Sequence, residues 1–101
     1  MPGTAEPHIL RDVQQLAHET LGPYAVECYL FGSWAVGRPR QTSDIDLAID
    51  ARVPLPPGLL ATLRERFEES HIPYRVDVVD LMTASASLRD HVLSHGVRWN
   101  V

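Results

Sequence analysis

Lysine is absent from this chain of 101 residues, and all of its basic charge comes from nine arginines. Thirteen acidic residues outnumber them, so the formal net charge is −4. A protein that holds duplex DNA along its surface usually carries a basic excess, because contacts to phosphate supply most of that affinity. The charge balance therefore argues against direct duplex DNA binding.

Other features are scarce as well. Cys28 is the single cysteine, so no disulfide joins two parts of the chain, and its apolar surroundings predict a buried free thiol. No apolar run approaches the ~20 residues of a membrane span, and the first residues lack the basic and apolar regions of a signal peptide. These absences predict a cytoplasmic protein with no role for a membrane.

The remaining composition is that of a folded protein. Apolar residues make up 45% of the chain and charged residues 22%, which is ordinary for a soluble globular protein. A length of 101 residues suits one core without metals or disulfides. We therefore expect a single domain over residues 1–101.

The spacing of apolar residues predicts the order helix, strand, strand, helix, strand, helix. The expected ranges are 7–21, 25–31, 43–50, 59–70, 74–81 and about 85–94. A short apolar tail follows the last helix. Gly96 stands where a left-handed residue commonly ends a helix, and we expect that conformation there.

Two aspartates separated by one isoleucine begin the second predicted strand. Asp44 and Asp46 project from one face, about 6 to 7 Å apart along the strand, so their carboxylates can converge on a cation such as Mg²⁺. A site for phosphoryl or nucleotidyl transfer needs a third carboxylate. Asp77, on the outward phase of the third strand, is the best-placed candidate, whereas Asp80 has the opposite phase and is expected to cap the following turn.

A Gly-Ser pair precedes these aspartates by ten residues, in the stretch FGSWAVGRPRQTSDIDLAID. Gly32 permits close backbone approach and unusual backbone torsions, and Ser33 offers a hydroxyl and an amide to an anion. Arg38 and Arg40 follow in the loop and could reach the same phosphates. A Gly-Ser turn and a polar strand face are each common in proteins that bind nothing, but their order and spacing together favour a site.

The combined pattern resembles the minimal nucleotidyltransferase (MNT) domains of the DNA polymerase beta superfamily, whose motif is Gly-Ser, about ten residues, then Asp-Xaa-Asp. The likeness extends to the ending VLSHGVRWNV and spans nearly the whole chain. It implies an α+β fold with a small mixed or antiparallel sheet flanked by helices.

The same resemblance implies the roles of the site residues. Asp44, Asp46 and Asp77 would be catalytic and bind two Mg²⁺ ions, with ATP as substrate. The expected nucleotide-binding residues are Gly32, Ser33, Arg38 and Ser43.

Two positions depart from the pattern of the family. Trp34 and Val36 stand where many members carry Arg or Tyr and then a second Arg. For Trp34 we expect packing in the core or against a partner rather than stacking on a base. The substitutions give Arg38 more importance in holding the triphosphate.

Stand-alone domains of this family are typically encoded beside a helical HEPN-fold ribonuclease, and the two act as antitoxin and toxin. By resemblance, this chain would transfer AMP from ATP to a hydroxyl of that partner, most simply of a tyrosine. The alternative is a binding module that blocks the partner by contact alone. Trp34, Val36 and the apolar tail favour this alternative. Transfer to a small molecule is a third hypothesis, but it needs an acceptor domain.

Overall fold

The computed structural model describes the backbone of residues 6–35 and 44–99, with side chains from residue 8 onward. Within these ranges seven elements follow one another: α1 (Glu6–Leu21), β1 (Val26–Phe31), β2 (Ile45–Ala51), α2 (Leu59–Glu68), β3 (Val76–Asp80), α3 (Ala86–His95) and β4 (Val97–Trp99). The predicted order of six elements is confirmed. Among these helices none is long and apolar enough to cross a membrane.

The four strands form one mixed sheet in the order β3-β2-β1-β4. β1 pairs antiparallel with both β2 and β4, whereas β2 and β3 run parallel. β2 therefore lies inside the sheet, and β3 forms one of its edges. The fold is α+β with a mixed sheet, as the sequence predicted.

One face of the sheet is covered by α1 and α2. The alternating residues Ile45, Leu47 and Ile49 of β2 are completely buried there, and they pack with residues such as Val13 and Leu63 of the two helices. Burial of each such side chain contributes roughly 1.5–3 kcal/mol. The periodicity of two along β2 thus fixes which face meets the core, and it turns the aspartates to the other face.

Among the described residues, α3 covers the opposite face only in part. Ala48 lies on this face and is completely buried in a small cluster with Leu81 and Val92. Its methyl side chain lets α3 approach the sheet closely at this point. Asp44, near the start of the strand, is exposed, and Asp46 is half-buried. The carboxylates therefore stand at the uncovered end of the face.

The end of α3 differs from the prediction. Gly96 has φ −72° and ψ 156°, which is extended backbone and not the left-handed conformation. The chain enters β4 at the next residue, so it must already be extended at Gly96. Glycine is needed here for space, because a Cβ would lie 2.5 Å from the Val92 carbonyl oxygen. The tail expected after the last helix is partly a strand.

The turn after β3 follows the prediction for Asp80. Its Oδ1 accepts a hydrogen bond of 2.9 Å from the Met82 amide. Asp80 is thus engaged locally at the far end of β3 from the exposed Asp77.

We predict that Gly96→Ala destabilises the protein by about 1–3 kcal/mol, since the new methyl group must displace the backbone of α3 or β4. Urea unfolding measures the change. Ser94→Ala, at an exposed position on the same helix, should stay within about 0.5 kcal/mol of the unaltered chain. Equal stability of the two variants would contradict the steric role of Gly96.

Candidate active site

The Gly-Ser pair forms a tight turn directly after β1. Gly32 has φ +77°, which L side chains rarely adopt. The Ala35 amide donates a hydrogen bond of 3.1 Å to the Gly32 carbonyl and closes the turn. Ser33 is half-buried at its tip. The unusual backbone torsion expected of Gly32 is confirmed.

Gly32 is also required by the side chain opposite it. Phe31, the residue directly before the turn, pairs with Asp46 across β1 and β2. The second aspartate of the motif therefore lies next to the turn. A Cβ on Gly32 would overlap with Oδ2 of Asp46. The carboxylate of Asp46 therefore occupies the space that a larger residue at position 32 would fill.

The third carboxylate lies on the other side of Asp46. Asp46 pairs with Asp77 across the parallel strands β2 and β3, which places both on one face of the sheet. The pKa of Asp46 is raised, first by its burial and then by the negative charges of Asp77 and Asp44. Asp44 and Asp77 are thus both within electrostatic reach of Asp46.

These carboxylates do not form a finished metal site by themselves. Within the part of the chain that the structure describes, no group of three or more histidine, cysteine, aspartate or glutamate side chains is placed to hold one ion. Asp44 and Asp77 are both exposed, so their side chains can rotate toward Asp46 at little cost. The donor set is one of oxygen ligands, which suits Mg²⁺.

The remaining predicted phosphate ligands belong to the loop between the turn and β2. Arg38 and Ser43, together with Val36 and Arg40, lie outside the described residues. Their predicted contacts with the nucleotide stay predictions.

Trp34 packs into the core, as expected from the sequence. Its side chain is 5% exposed, and its ring meets that of Tyr74 edge-on, with centroids 5.0 Å apart and planes at 74°. Such pairs contribute about 0.5–1.5 kcal/mol beyond the burial of their area. Sequence analysis placed Tyr74 at the start of the third predicted strand and gave it no role at the site, whereas in the structure it lies two positions before β3. The pair joins the Gly-Ser turn to the segment that leads into β3.

Cys28 takes no part in this site. It is completely buried on the face covered by the helices, and burial raises the pKa of its thiol to about 12. The thiolate needed for nucleophilic attack is therefore disfavoured. The predicted buried free thiol is confirmed.

The geometry is that of a tight Gly-Ser turn beside a row of carboxylates. The family described as polymerase beta nucleotidyltransferase matches residues 15–98 of this chain. The chain belongs to this family of nucleotidyltransferases.

Individual relatives refine the comparison. The chain is 36% identical over 78 residues to the probable protein adenylyltransferase MntA of Haemophilus influenzae, a match that covers 77% of this chain and 67% of that protein. Among solved structures, a toxin–antitoxin complex with AMP-PNP has a TM-score of 0.71 at 28% identity, covering 90% of this chain and 73% of the other.

A further solved structure contains a tri-AMPylated HEPN toxin of Shewanella oneidensis in complex with its MNT antitoxin. It matches with a TM-score of 0.68 at 25% identity, covering 95% of this chain and 73% of the other. Both structures therefore share the fold over most of the chain.

The raised pKa of Asp46 predicts how its replacement changes stability with pH. Folded Asp46 keeps its proton to a higher pH than an aspartate in the unfolded chain, so its contribution to stability is lost as the pH rises through the raised pKa. Asp46→Asn should therefore raise the melting temperature at neutral pH. The difference should shrink as the pH falls toward 3.8, the ordinary value.

The matched control for this experiment is Asp90→Asn, which neutralises an exposed aspartate on α3. It should leave the melting temperature nearly unchanged across the same pH range. A stabilisation by Asp46→Asn that did not depend on pH would contradict repulsion among the three carboxylates.

Proposed function

We propose that this chain is an antitoxin that transfers AMP from ATP to a hydroxyl, most simply of a tyrosine, on a partner HEPN toxin, and so neutralises it. The position of Asp46 between Gly32 and Asp77 is the observation that carries this proposal. Asp46 has the Gly-Ser turn, which would bind phosphate, on one side and a third carboxylate on the other. The likeness to MntA and to the complexes of MNT antitoxins with HEPN toxins supports the choice of acceptor.

A divalent cation fits the residues present at this site. The pKa of Asp46 is raised first by burial and then by repulsion from Asp77 and Asp44, and a bound cation would relieve that repulsion. Asp44, Asp46 and Asp77 would hold two Mg²⁺ ions, which when bound neutralise phosphate charge and make a coordinated hydroxyl more acidic.

The residues of the chain itself would act on the nucleotide and the acceptor. The turn at Gly32 and Ser33 would bind the outer phosphates through backbone amides and the hydroxyl, aided by Arg38 and Ser43. The acceptor oxygen forms a bond to the α-phosphorus, and the bond from that phosphorus to the bridging oxygen breaks. Pyrophosphate leaves, and the proton of the hydroxyl passes to Asp77.

The setting of this reaction is part of the proposal. Residues 1–101 would form one minimal nucleotidyltransferase domain, consistent with a single sheet that joins all the described strands. ATP is a cytoplasmic substrate, so we place the reaction in the cytoplasm. The acceptor protein brings most of its own binding surface, because the described domain is small.

We predict that the unaltered chain, incubated with Mg²⁺ and ATP labelled at the α-phosphate, labels the HEPN protein encoded beside it. The Asp44→Asn, Asp46→Asn double variant should transfer no label, because it removes two metal ligands. Gel autoradiography and the mass of the acceptor measure the transfer. Asp90→Asn serves as the control and should transfer normally.

A second candidate function is neutralisation by binding alone. Trp34 favours it, since a buried aromatic ring stands where the family pattern has Arg or Tyr. In a growth assay with the toxin, full rescue by the double variant would support this candidate. Loss of rescue together with loss of labelling supports transfer.

Ser33→Ala tests the phosphate-binding turn. One hydrogen bond to the triphosphate should be lost, which corresponds to about 0.5–1.5 kcal/mol, or up to ~3 kcal/mol where the partner is charged. Isothermal titration with Mg²⁺ and AMP-PNP measures the change. Unchanged affinity would remove Ser33 from the nucleotide site.

A further inference from the structure

A groove of about 530 Å³ runs along the outer side of β3, between this edge strand and α2. Its volume lies within the range of about 300–1,000 Å³ that is usual for ligand sites. Asp77 lines this groove, and it is the only one of the described residues assigned to nucleotidyl transfer that does so.

The order of the strands fixes the direction of the reaction relative to this groove. The Gly-Ser turn follows β1, Asp46 lies on β2 and Asp77 on β3, and these strands are consecutive neighbours in the sheet. In a phosphoryl-type transfer the attacking and leaving oxygens lie on opposite sides of the phosphorus, roughly in line. If the turn holds the outer phosphates, pyrophosphate leaves toward β1 and the acceptor enters from β3.

The residues that line the groove suit an aromatic acceptor and the product formed from it. Ile72 and Tyr74 give it an apolar wall against which a ring can pack. Arg64 and Arg75 add two guanidinium groups, which suit the negative phosphodiester that forms once AMP has been transferred.

The two arginines are held by the fold in different ways. Arg64 donates a hydrogen bond of 2.9 Å to the Val78 carbonyl, which ties α2 to the outer edge of β3. The carbonyl of Arg75 accepts one of 2.8 Å from the Ile45 amide, so its backbone is fixed to β2 while its side chain is exposed. Arg75 is therefore the residue that can be changed without loosening the groove.

We infer that the groove between β3 and α2 is the acceptor site, and that it receives an aromatic hydroxyl side chain of the partner protein beside Asp77. This inference rests on the proposed function and adds the place from which the acceptor enters. The nucleotide, held at the turn after β1, does not occupy the groove.

Filling the groove tests the inference. Glu68 is exposed on α2 and lines the groove, whereas Glu65 is exposed on the same helix and does not line it. With the HEPN protein that takes label in the experiment above, Glu68→Trp should raise the acceptor KM about tenfold, a loss of roughly 1.4 kcal/mol. Glu65→Trp should leave it unchanged, and the Kd of AMP-PNP should be the same in both.

The charge of the groove gives an independent readout. Arg75→Glu should lower kcat/KM for the acceptor about tenfold, because it places a negative charge beside the phosphodiester being formed. Arg75→Lys should restore most of the rate. Arg11→Glu, which reverses an exposed charge on α1, controls for a general effect of net charge on association.

The outcomes separate the two proposals. If the unaltered chain labels no acceptor, the proposed function fails and the acceptor site fails with it. If the unaltered chain labels the acceptor and the two variants Glu68→Trp and Glu65→Trp have the same acceptor KM, the inference that the groove is the acceptor site is overturned. The proposed function then still stands. Weaker AMP-PNP binding in the Glu68→Trp variant would assign the groove to the nucleotide and also overturn the inference.

Discussion

The carboxylate of Asp46 lies where a side chain at position 32 would otherwise be, and the site depends on this contact. Gly32 is therefore needed twice, for its positive φ and for its missing Cβ. The Gly-Ser turn and the central carboxylate therefore pack directly against each other. Any residue larger than glycine would disturb the turn and the carboxylate together.

Trp34 and Tyr74 extend this arrangement from β1 to β3. The turn is anchored through a buried ring, and that ring meets the segment that leads into β3. The tryptophan at position 34 thus serves the position of the turn through packing, and it leaves the carboxylates in place.

One face of the sheet forms the core, and the other face carries the carboxylates. α1 and α2 bury one face and supply the apolar core, while α3 covers only the middle of the other face. The uncovered end exposes Asp44 and Asp77 and leaves Asp46 half-buried. Repulsion among carboxylates is tolerated there because water still reaches two of the three, and the core supplies the stability.

Much of this could be predicted from the sequence, because local patterns carry it. The alternation along β2 identified Ile45, Leu47 and Ile49 as core and turned Asp44 and Asp46 outward, and the phase of β3 selected Asp77 over Asp80. Those assignments depend only on the period of two along a strand. The spacing between Gly-Ser and Asp-Xaa-Asp is likewise a local pattern, and it was sufficient to identify the family.

Tertiary structure decided what local patterns cannot encode. Gly96 is extended because β4 begins at once and pairs with β1, a contact between residues far apart in the chain. The overlap of Asp46 with the space at Gly32 and the packing of Trp34 on Tyr74 also join distant segments, so no spacing rule announces them. The sequence alone determined which residues carry charge toward the site, and the pairing of strands determined their order across it, since that order arises only when the sheet forms.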